Sequence, residues 1–364
     1  MTSCDFCKVD SKKAQVKSCV CKKVFYCSKQ CQAKDWKAHK PSCSPFTTRE
    51  SPGKGRGLFA TRRIKAGEVI LEEYPLLTRD GWSLVRFGAM DFDIDEDTKA
   101  QILKLHDPEE NLKTLKYKTV QELDLFPLCW CWMKWKETQS EEQNKIMRIF
   151  CGNSHGILCS LTLSRNRSER GLYYNMCRIN HSCVPNATWS SVEGDYKQLQ
   201  VRALKTIEKG QEILFNYQSG DIKFHYGLRE ARQQELLKTS GFLCKCSECS
   251  LEGEELSKNE LLRMEIRMKD MEMDPLMSYE GNVQRRFMKT FLQLSKEKMN
   301  LVEKLGIRGE TFMFEKLAFC ASATLAKRMG VAAPDPNISK EEALKHAQIC
   351  GGKRFLDEIE RKYF

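Results

Sequence analysis

Apolar positions along this chain change period several times, and the changes divide it. Short apolar runs at Leu58-Phe59-Ala60 and from Glu68 to Glu73 predict strands. The first is entered through Ser51-Pro52-Gly53-Lys54-Gly55-Arg56-Gly57, which reads as a flexible turn and puts a domain boundary near residues 44–50. The pattern Ile64-x-x-Gly67-Glu68-x-Ile70 returns as Ile207-x-x-Gly210-Gln211-Glu212-Ile213, so one turn-and-strand device stands at both ends of a β-rich unit. Between them, residues 95–150 lose alternation and gain helical spacing at Ile102, Leu103, Leu105, Leu112, Leu115, Ile146, Met147, Ile149 and Phe150. A helical insertion therefore splits the strands. A last helical stretch covers residues 254–364, with Leu261, Leu262, Met264, Ile266, Phe291, Leu292, Leu294, Met299 and Leu301 at helical spacings and no clear 34-residue repeat.

With 364 residues, 41% of them apolar, the chain has material for two or three domains. It lacks a run of 18 apolar residues, and its first residues bring Cys4 and Cys7 instead of a basic-then-apolar leader. A soluble, unsecreted, monomeric protein of cytoplasm and nucleus, with no membrane partner, is the expectation. Of the formal net charge of +11, residues 1–50 carry +7, from eleven Lys/Arg against four Asp/Glu. That region expects an acidic partner. Lys22, Lys23, Lys34, Lys37 and Lys40 are scattered, with no base-reading helix beside them, and read as a solvated face, so direct nucleic-acid binding is not expected.

Cysteine changes the picture more than charge does. Of eighteen cysteines, eleven fall with one histidine into short-spaced clusters, a pattern that suits metal in a reducing compartment better than disulfides. Cys4, Cys7, Cys19, Cys21, Cys27, Cys31, His39 and Cys43 form four close pairs, enough for two tetrahedral zinc ions. A closed shell of four ligands leaves no catalytic position. So short a segment cannot fold on its own core, and roughly 10 kcal/mol or more per zinc must come from the metal. Helical composition from Lys29 to Lys40 places Trp36 and His39 one turn apart, so one helix can carry a ligand and pack an aromatic on it. Three further cysteines, Cys244, Cys246 and Cys249, leave one tetrahedral position open, which Cys183 fills, for three Zn2+ in all. Cys129, Cys131, Cys151, Cys159, Cys177, Cys320 and Cys350 lack such spacing and read as small buried hydrophobes.

The chemistry concentrates in Asn153-Ser154-His155-Gly156, Gly171-Leu172-Tyr173, Arg178-Ile179-Asn180-His181-Ser182-Cys183-x-Pro185-Asn186 and Phe215-Asn216-Tyr217. Taken in that order, the set resembles a SET domain over about residues 50–250. Residues 4–43, with the aromatic-Cys step Tyr26-Cys27, then Cys31, Trp36, His39 and Cys43, resemble a MYND finger. Together they resemble the SET and MYND domain (SMYD) family of protein lysine methyltransferases.

The resemblance implies an α+β fold: a MYND finger over residues 1–44, a β-rich SET domain over 45–250 split by a helical insertion at about 80–150 and closed by a post-SET zinc cluster at 241–250, and a C-terminal helical domain over 251–364. It implies interleaved finger sites, Cys4, Cys7, Cys27 and Cys31 on one zinc and Cys19, Cys21, His39 and Cys43 on the other. It implies S-adenosylmethionine as cofactor, with Lys54, Arg56 and Gly57 in the cofactor turn, Asn153 at the methionine end, Asn180 and His181 at the adenosyl group, Phe242 as an aromatic contact and Tyr217 as the catalytic tyrosine. Its substrates are protein lysines, and its fingers take proline-rich peptides. Methyl transfer to an amine is an in-line displacement that needs alignment and a neutral acceptor more than a nucleophilic side chain. Four departures stand out: the one-residue gap in Cys19-x-Cys21, the finger preceding the SET domain, the shortened C-terminal arm, and Ser240 where the family has a second tyrosine. The last keeps open the alternative of a weakly active or inactive peptide-binding adaptor in transcriptional regulation.

Overall fold

The computed structural model describes residues 3–10, 15–19, 24–39, 43–80, 94–107, 140–156, 169–192, 195–218, 222–277, 285–307 and 310–333, with scattered positions from 340 to 357. Cys21, Leu112, Leu115, Cys129, Cys131, Cys159 and Cys350 lie outside these residues.

The N-terminal module pairs β1 (Lys17–Ser18) with β2 (Phe25–Tyr26) in antiparallel fashion and ends in α1 (Lys29–His39). Ser28 starts the helix by accepting from the Cys31 amide at 3.1 Å, one of the amides a helix start leaves unpaired. The module's buried residues are Cys4, Cys19, Tyr26 and Cys43, with Trp36, Val9 and Val24 against them. A core made of thiols and two aromatics cannot hold the segment by apolar burial alone, as the sequence requires of a metal-dependent module.

The β-rich body begins with β3 (Phe46–Ser51) and β4 (Gly55–Ala60), a hairpin in which Gly53 and Gly55 take φ of +71° and +72°. Only the tip of the glycine-rich stretch is a turn. Gly55-Arg56-Gly57, expected in the flexible turn, is strand, because its amides and carbonyls are in register with Glu50 and Arg49 across the hairpin. The chain continues through β5 (Val69–Glu73), β6 (Leu77–Asp80), α2 (Glu96–Ile102), α3 (Glu141–Asn153), β7 (His155–Gly156), β8 (Glu169–Leu172), β9 (Asn180–His181), β10 (Ala187–Val192), β11 (Asp195–Ala203) and β12 (Leu214–Phe215). The sheets are small: β10-β11-β5 and β6-β8-β7 are antiparallel, while β12 lies parallel to β9. Leu58, Ile64, Ile70, Tyr173, Ile179, Val201, Ile207, Ile213 and Phe215 are buried in their common core.

The insertion is helical where it is described. Asp95 caps α2 through the Thr98 amide at 2.9 Å, and Ser140 and Gln143 exchange bonds of 3.3 and 2.9 Å in a capping box at α3. Ile102, Leu105, Ile146, Met147, Ile149 and Phe150 bury against Leu77 and Leu172, which fastens the insertion to the β6-β8-β7 sheet.

Beyond the strands follow α4 (Ile222–His225), α5 (Arg229–Ser240), α6 (Gly253–Met273), α7 (Met288–Lys304) and α8 (Glu310–Arg328). Met288, Phe291, Leu292 and Met299 pack against Phe319, Ala323 and Ala326, so the apolar side of α7, which includes three of the residues placed at helical spacing, faces the core. On α6 the outcome differs: Leu261 and Met264 are exposed, and the buried side chains are Arg263 and Ile266. The buried face carries Leu262 and Ile266 into an apolar cluster with Tyr226, Val302 and Phe312, and Arg263 beside them enters a polar network with Glu248. Among the described residues no helix is long and apolar enough to cross a membrane.

Candidate active site and metal centres

Three sets of donor atoms converge, and within each set all lie within 4.8 Å of one another: Cys4, Cys7, Cys27 and Cys31; Cys19, His39 and Cys43; and Cys183, Cys244, Cys246 and Cys249. Four thiolates on a tetrahedral zinc, with bonds of about 2.3 Å, stand about 3.8 Å apart. The sulfurs match: 3.5 Å for Cys7 to Cys27 and for Cys27 to Cys31, 3.7 Å for Cys19 to Cys43, and 3.6 and 4.0 Å from Cys183 to Cys249 and Cys244. Donor chemistry and spacing thus both fit zinc. His39 is buried between Tyr26 and Trp36, each 6.1 Å away in an edge-on arrangement, so the helix carries ligand and packing aromatic together.

The second centre of interest surrounds the parallel pair β9 and β12. Leu214 is in register with Asn180 and Phe215 with His181, and the Ser182 amide bonds to Phe215 O at 3.0 Å. Asn186 secures the crossing from its own side chain: Nδ2 donates to Glu212 O and Oδ1 accepts from the Leu214 amide, both at 2.8 Å. The pairing brings the Tyr217 amide to His181 Nδ1 at 3.1 Å. Nδ1 therefore accepts, and Nε2 carries the proton toward Cys183 Sγ, 3.4 Å away. Burial holds the imidazole neutral, with its pKa lowered to about 3. His181 thus couples the metal centre to the tyrosine segment.

Tyr217 is 37% exposed, yet its hydroxyl is turned inward and donates to Ile179 O at 3.0 Å. Burial, followed by the charges of Cys177 and Glu212, raises its pKa above the ordinary phenol value. The group is a hydrogen-bonding phenol at neutral pH and not a base. Phe215, His181 and Phe242 surround the ring at 5.3, 5.3 and 6.1 Å. Such aromatic faces favour a positively charged or planar ligand.

Lys54 and Arg56 approach from the hairpin. Lys54 Nζ lies 3.2 Å from Glu212 Oε2, and Arg56 offers its carbonyl to Asn180 Nδ2 at 3.2 Å. Asn180 Nδ2 also donates to Glu212 Oε1 at 2.7 Å. Gly57 sits under this cluster: a Cβ there would be 2.4 Å from Glu212 Oε1 and 3.0 Å from Asn180 Nδ2. The Glu212 carboxylate joins two of the candidate site residues, Lys54 and Asn180, and lies over a third, Gly57, although the sequence marked it only as part of a turn-and-strand pattern. The signal was present in the repeated Ile-x-x-Gly device, but one half of that pair has Ala-Gly-Glu-Val and gives no hint that Glu212 points at Asn180.

Asn153, at the C-terminal end of α3, commits Nδ2 to Ile149 O at 2.7 Å and His106 O at 2.9 Å, while its carbonyl accepts from the Cys177 thiol at 3.1 Å. Ser240 closes α5 beside Thr239, whose hydroxyl accepts from Gln218 Nε2 at 3.0 Å, and Gly241 follows at φ +71° as the helix cap. Phe242 then reaches His181, 6.0 Å between ring centres.

Two family models match the chain: the MYND finger over residues 4–43 and the SET domain over residues 55–218. Among curated proteins, histone-lysine N-methyltransferase set5 of Schizosaccharomyces pombe is 29% identical over 233 residues, 61% of this chain and 56% of its own length. N-lysine methyltransferase SMYD2 of Homo sapiens is 23% identical over 337 residues, 87% of this chain and 69% of its own. The chain thus spans little more than half of the yeast relative. Among solved structures, the SET domain of LSMT bound to lysine and AdoHcy is 11% identical and covers 91% of this chain and 90% of its own, with a TM-score of 0.32, too loose a likeness to build on.

Proposed function

The chain belongs to the SET and MYND domain family, with the finger N-terminal to the SET domain, and from that premise we propose that it is an S-adenosylmethionine-dependent protein-lysine N-methyltransferase. The observation that carries the reading is the parallel pairing of Asn180–His181 with Leu214–Phe215, which sets His181 Nδ1 beneath the Tyr217 amide. The bound cofactor would supply an electrophilic methyl group on a sulfonium. Lys54 and Arg56 offer cations to a carboxylate, and Phe242 and Tyr217 offer ring faces to a cation or a planar base.

An acceptor lysine is almost fully protonated in water, with a pKa of about 10.4, and loses its proton more readily where it is desolvated or stands beside another cation. Tyr217 Oη and Ile179 O, 3.0 Å apart, form a pair of acceptors at which an amine can be aligned. Alignment is the protein's main contribution to an in-line displacement. Because its pKa is raised, Tyr217 orients the amine and takes no proton from it. Three Zn2+ are held by the clusters described above, and the finger serves to dock a peptide partner.

The test is transfer of a radiolabelled methyl group to a protein extract by wild type and Tyr217→Phe. Label on lysine that disappears in the variant supports the proposal. A zinc-loaded wild type that binds the cofactor and labels no lysine would overturn it, and leaves the peptide-docking adaptor, for which the Ser240 hydroxyl in place of a second tyrosine speaks.

A further inference from the structure

Behind the Cys183, Cys244, Cys246 and Cys249 cluster lie two arginines and a glutamate taken almost wholly out of water. Arg232 of α5 and Arg263 of α6 are each 1% exposed and Glu248 is 6% exposed. Arg232 Nη2 points at Cys249 Sγ at 3.7 Å and stands 3.5 Å from Glu248 Oε2. Arg263 Nη2 donates to Glu248 Oε1, which also accepts from Asn259 Nδ2 at 2.9 Å, and Asn259 Oδ1 accepts from Arg263 Nε at 3.0 Å. Arg263 Nη1 donates to His225 O. The His225 ring in turn faces Asn216 Nδ2, 3.4 Å from its Nδ1, one residue before Tyr217. Sequence periodicity missed all of this, since charged side chains at buried helix positions break the apolar pattern.

Burying a charge is costly unless its partners are buried with it, and this triad lies beside a centre with a charge of its own. Four thiolates on one zinc leave about −2. Two arginines and one glutamate leave about +1, placed on the side where Arg232 donates to a ligand sulfur. We propose that Arg232, Glu248 and Arg263 are positioning residues for this metal centre: Arg232 neutralises charge on Cys249, and Arg263, reaching across from the C-terminal helical region, supplies the second cation that Glu248 needs, so that Glu248 does not draw Arg232 off the ligand sulfur. The C-terminal region thereby sets the stability of the metal centre and, through His225, the placement of the Asn216–Tyr217 segment. This rests on the reading of the four cysteines as a zinc site.

The test follows zinc in the full chain and needs no activity. Bound zinc is transferred to the chromogenic chelator 4-(2-pyridylazo)resorcinol and the release of each equivalent is timed for wild type, Cys183→Ser, Arg232→Met, Arg263→Met and the double variant Arg263→Met with Glu248→Gln. One equivalent, the one missing in Cys183→Ser, is expected to leave about tenfold or more faster in Arg232→Met and Arg263→Met, the range by which loss of a group behind a ligand usually weakens a metal site. Release of the finger equivalents stays unchanged. The double variant restores the net charge of the triad and is expected to return to within a few-fold of wild type, a rescue that mere loss of packing does not give. Wild-type release in Arg263→Met overturns the proposal, as does a double variant no slower than Arg263→Met. If Arg263→Met fails to fold, the double variant must fold and hold its zinc, and its failure is equally decisive against the idea. If Cys183→Ser loses no zinc, the zinc reading itself falls, and this proposal with it.

Discussion

Ile64 and Ile207 exchange both backbone hydrogen bonds, each at 2.9 Å, and both side chains are fully buried. The relation extends outward on both sides with twofold likeness. The Gly67 amide bonds to Ala203 O at 2.7 Å and the Gly210 amide to Ala60 O at 2.8 Å. The Lys65 amide is capped by Glu68 and the Glu208 amide by Gln211, at 3.0 and 2.9 Å. Gly67 and Gly210 take φ of +78° and +87°, where a side chain would be strained. The two copies of the sequence device are thus one structure, and they clamp β4 and β5 to the segment that leads into Tyr217.

Truncating either isoleucine to alanine removes buried atoms that the surrounding strands cannot replace. Each variant is expected to lose about 2–5 kcal/mol of stability. Because the two residues share one contact, the double variant should lose less or more than the sum by at least about 0.5 kcal/mol. Denaturant titration of the four proteins measures both quantities, and strict additivity would mean that the clamp is not a unit.

Gly57→Ala places a methyl group against Glu212 and Asn180. Glu212 must move, which opens its 3.2 Å contact with Lys54 and its 2.7 Å bond to Asn180. A stability loss of about 1–3 kcal/mol is expected from the overpacking, with weaker cofactor binding by calorimetry. Unchanged binding would show that Glu212 and Asn180 do not shape the cofactor site.

His155 lies among Trp189, Phe215 and Tyr173, and burial, with the Arg170 charge adding to it, pushes its pKa down from 6.5 to about 3. Its folded pKa is below the unfolded one, so unfolding takes up a proton. The stability this contributes is complete above pH 6.5 and is lost as the pH falls from there toward 3. Between pH 6.5 and 5 the loss is expected to be about 1–2 kcal/mol. In His155→Phe this part of the slope should vanish, as denaturant midpoints at the two pH values would show.

Zinc content should fall by one equivalent in Cys183→Ser and by one in Cys21→Ser, the latter because Cys19, His39 and Cys43 supply three donors that need a fourth. Mass spectrometry of the native protein counts the ions. In Cys21→Ser the half of the finger around Cys19, His39 and Cys43 should lose its order, while the Cys4, Cys7, Cys27 and Cys31 site keeps its ion and the SET body keeps its unfolding transition. A full complement in Cys21→Ser would place a different ligand on that ion.

The amino-acid sequence by itself determined the features that depend on near neighbours. Paired cysteines a few residues apart can only converge locally, so the finger's close donor pairs were legible, as was the helical period of α7. The repeated Ile-x-x-Gly device was legible too, because each half is a self-contained turn. Tertiary structure alone decided what those pieces meet. Lys54 finds Glu212 across 158 positions, and Arg263 finds Glu248 and then His225. Leu261 and Met264 share a helical spacing and still face solvent, because the side of α6 that meets the rest of the fold carries Leu262 and Ile266 into an apolar cluster, with Arg263 beside them on Glu248. Asn153 likewise spends its amide on Ile149 and His106 for a reason set by the end of α3 and the approach of a distant loop. Local propensity reports which element forms, whereas burial of charge and the pairing of remote backbone groups depend on what the whole fold places nearby.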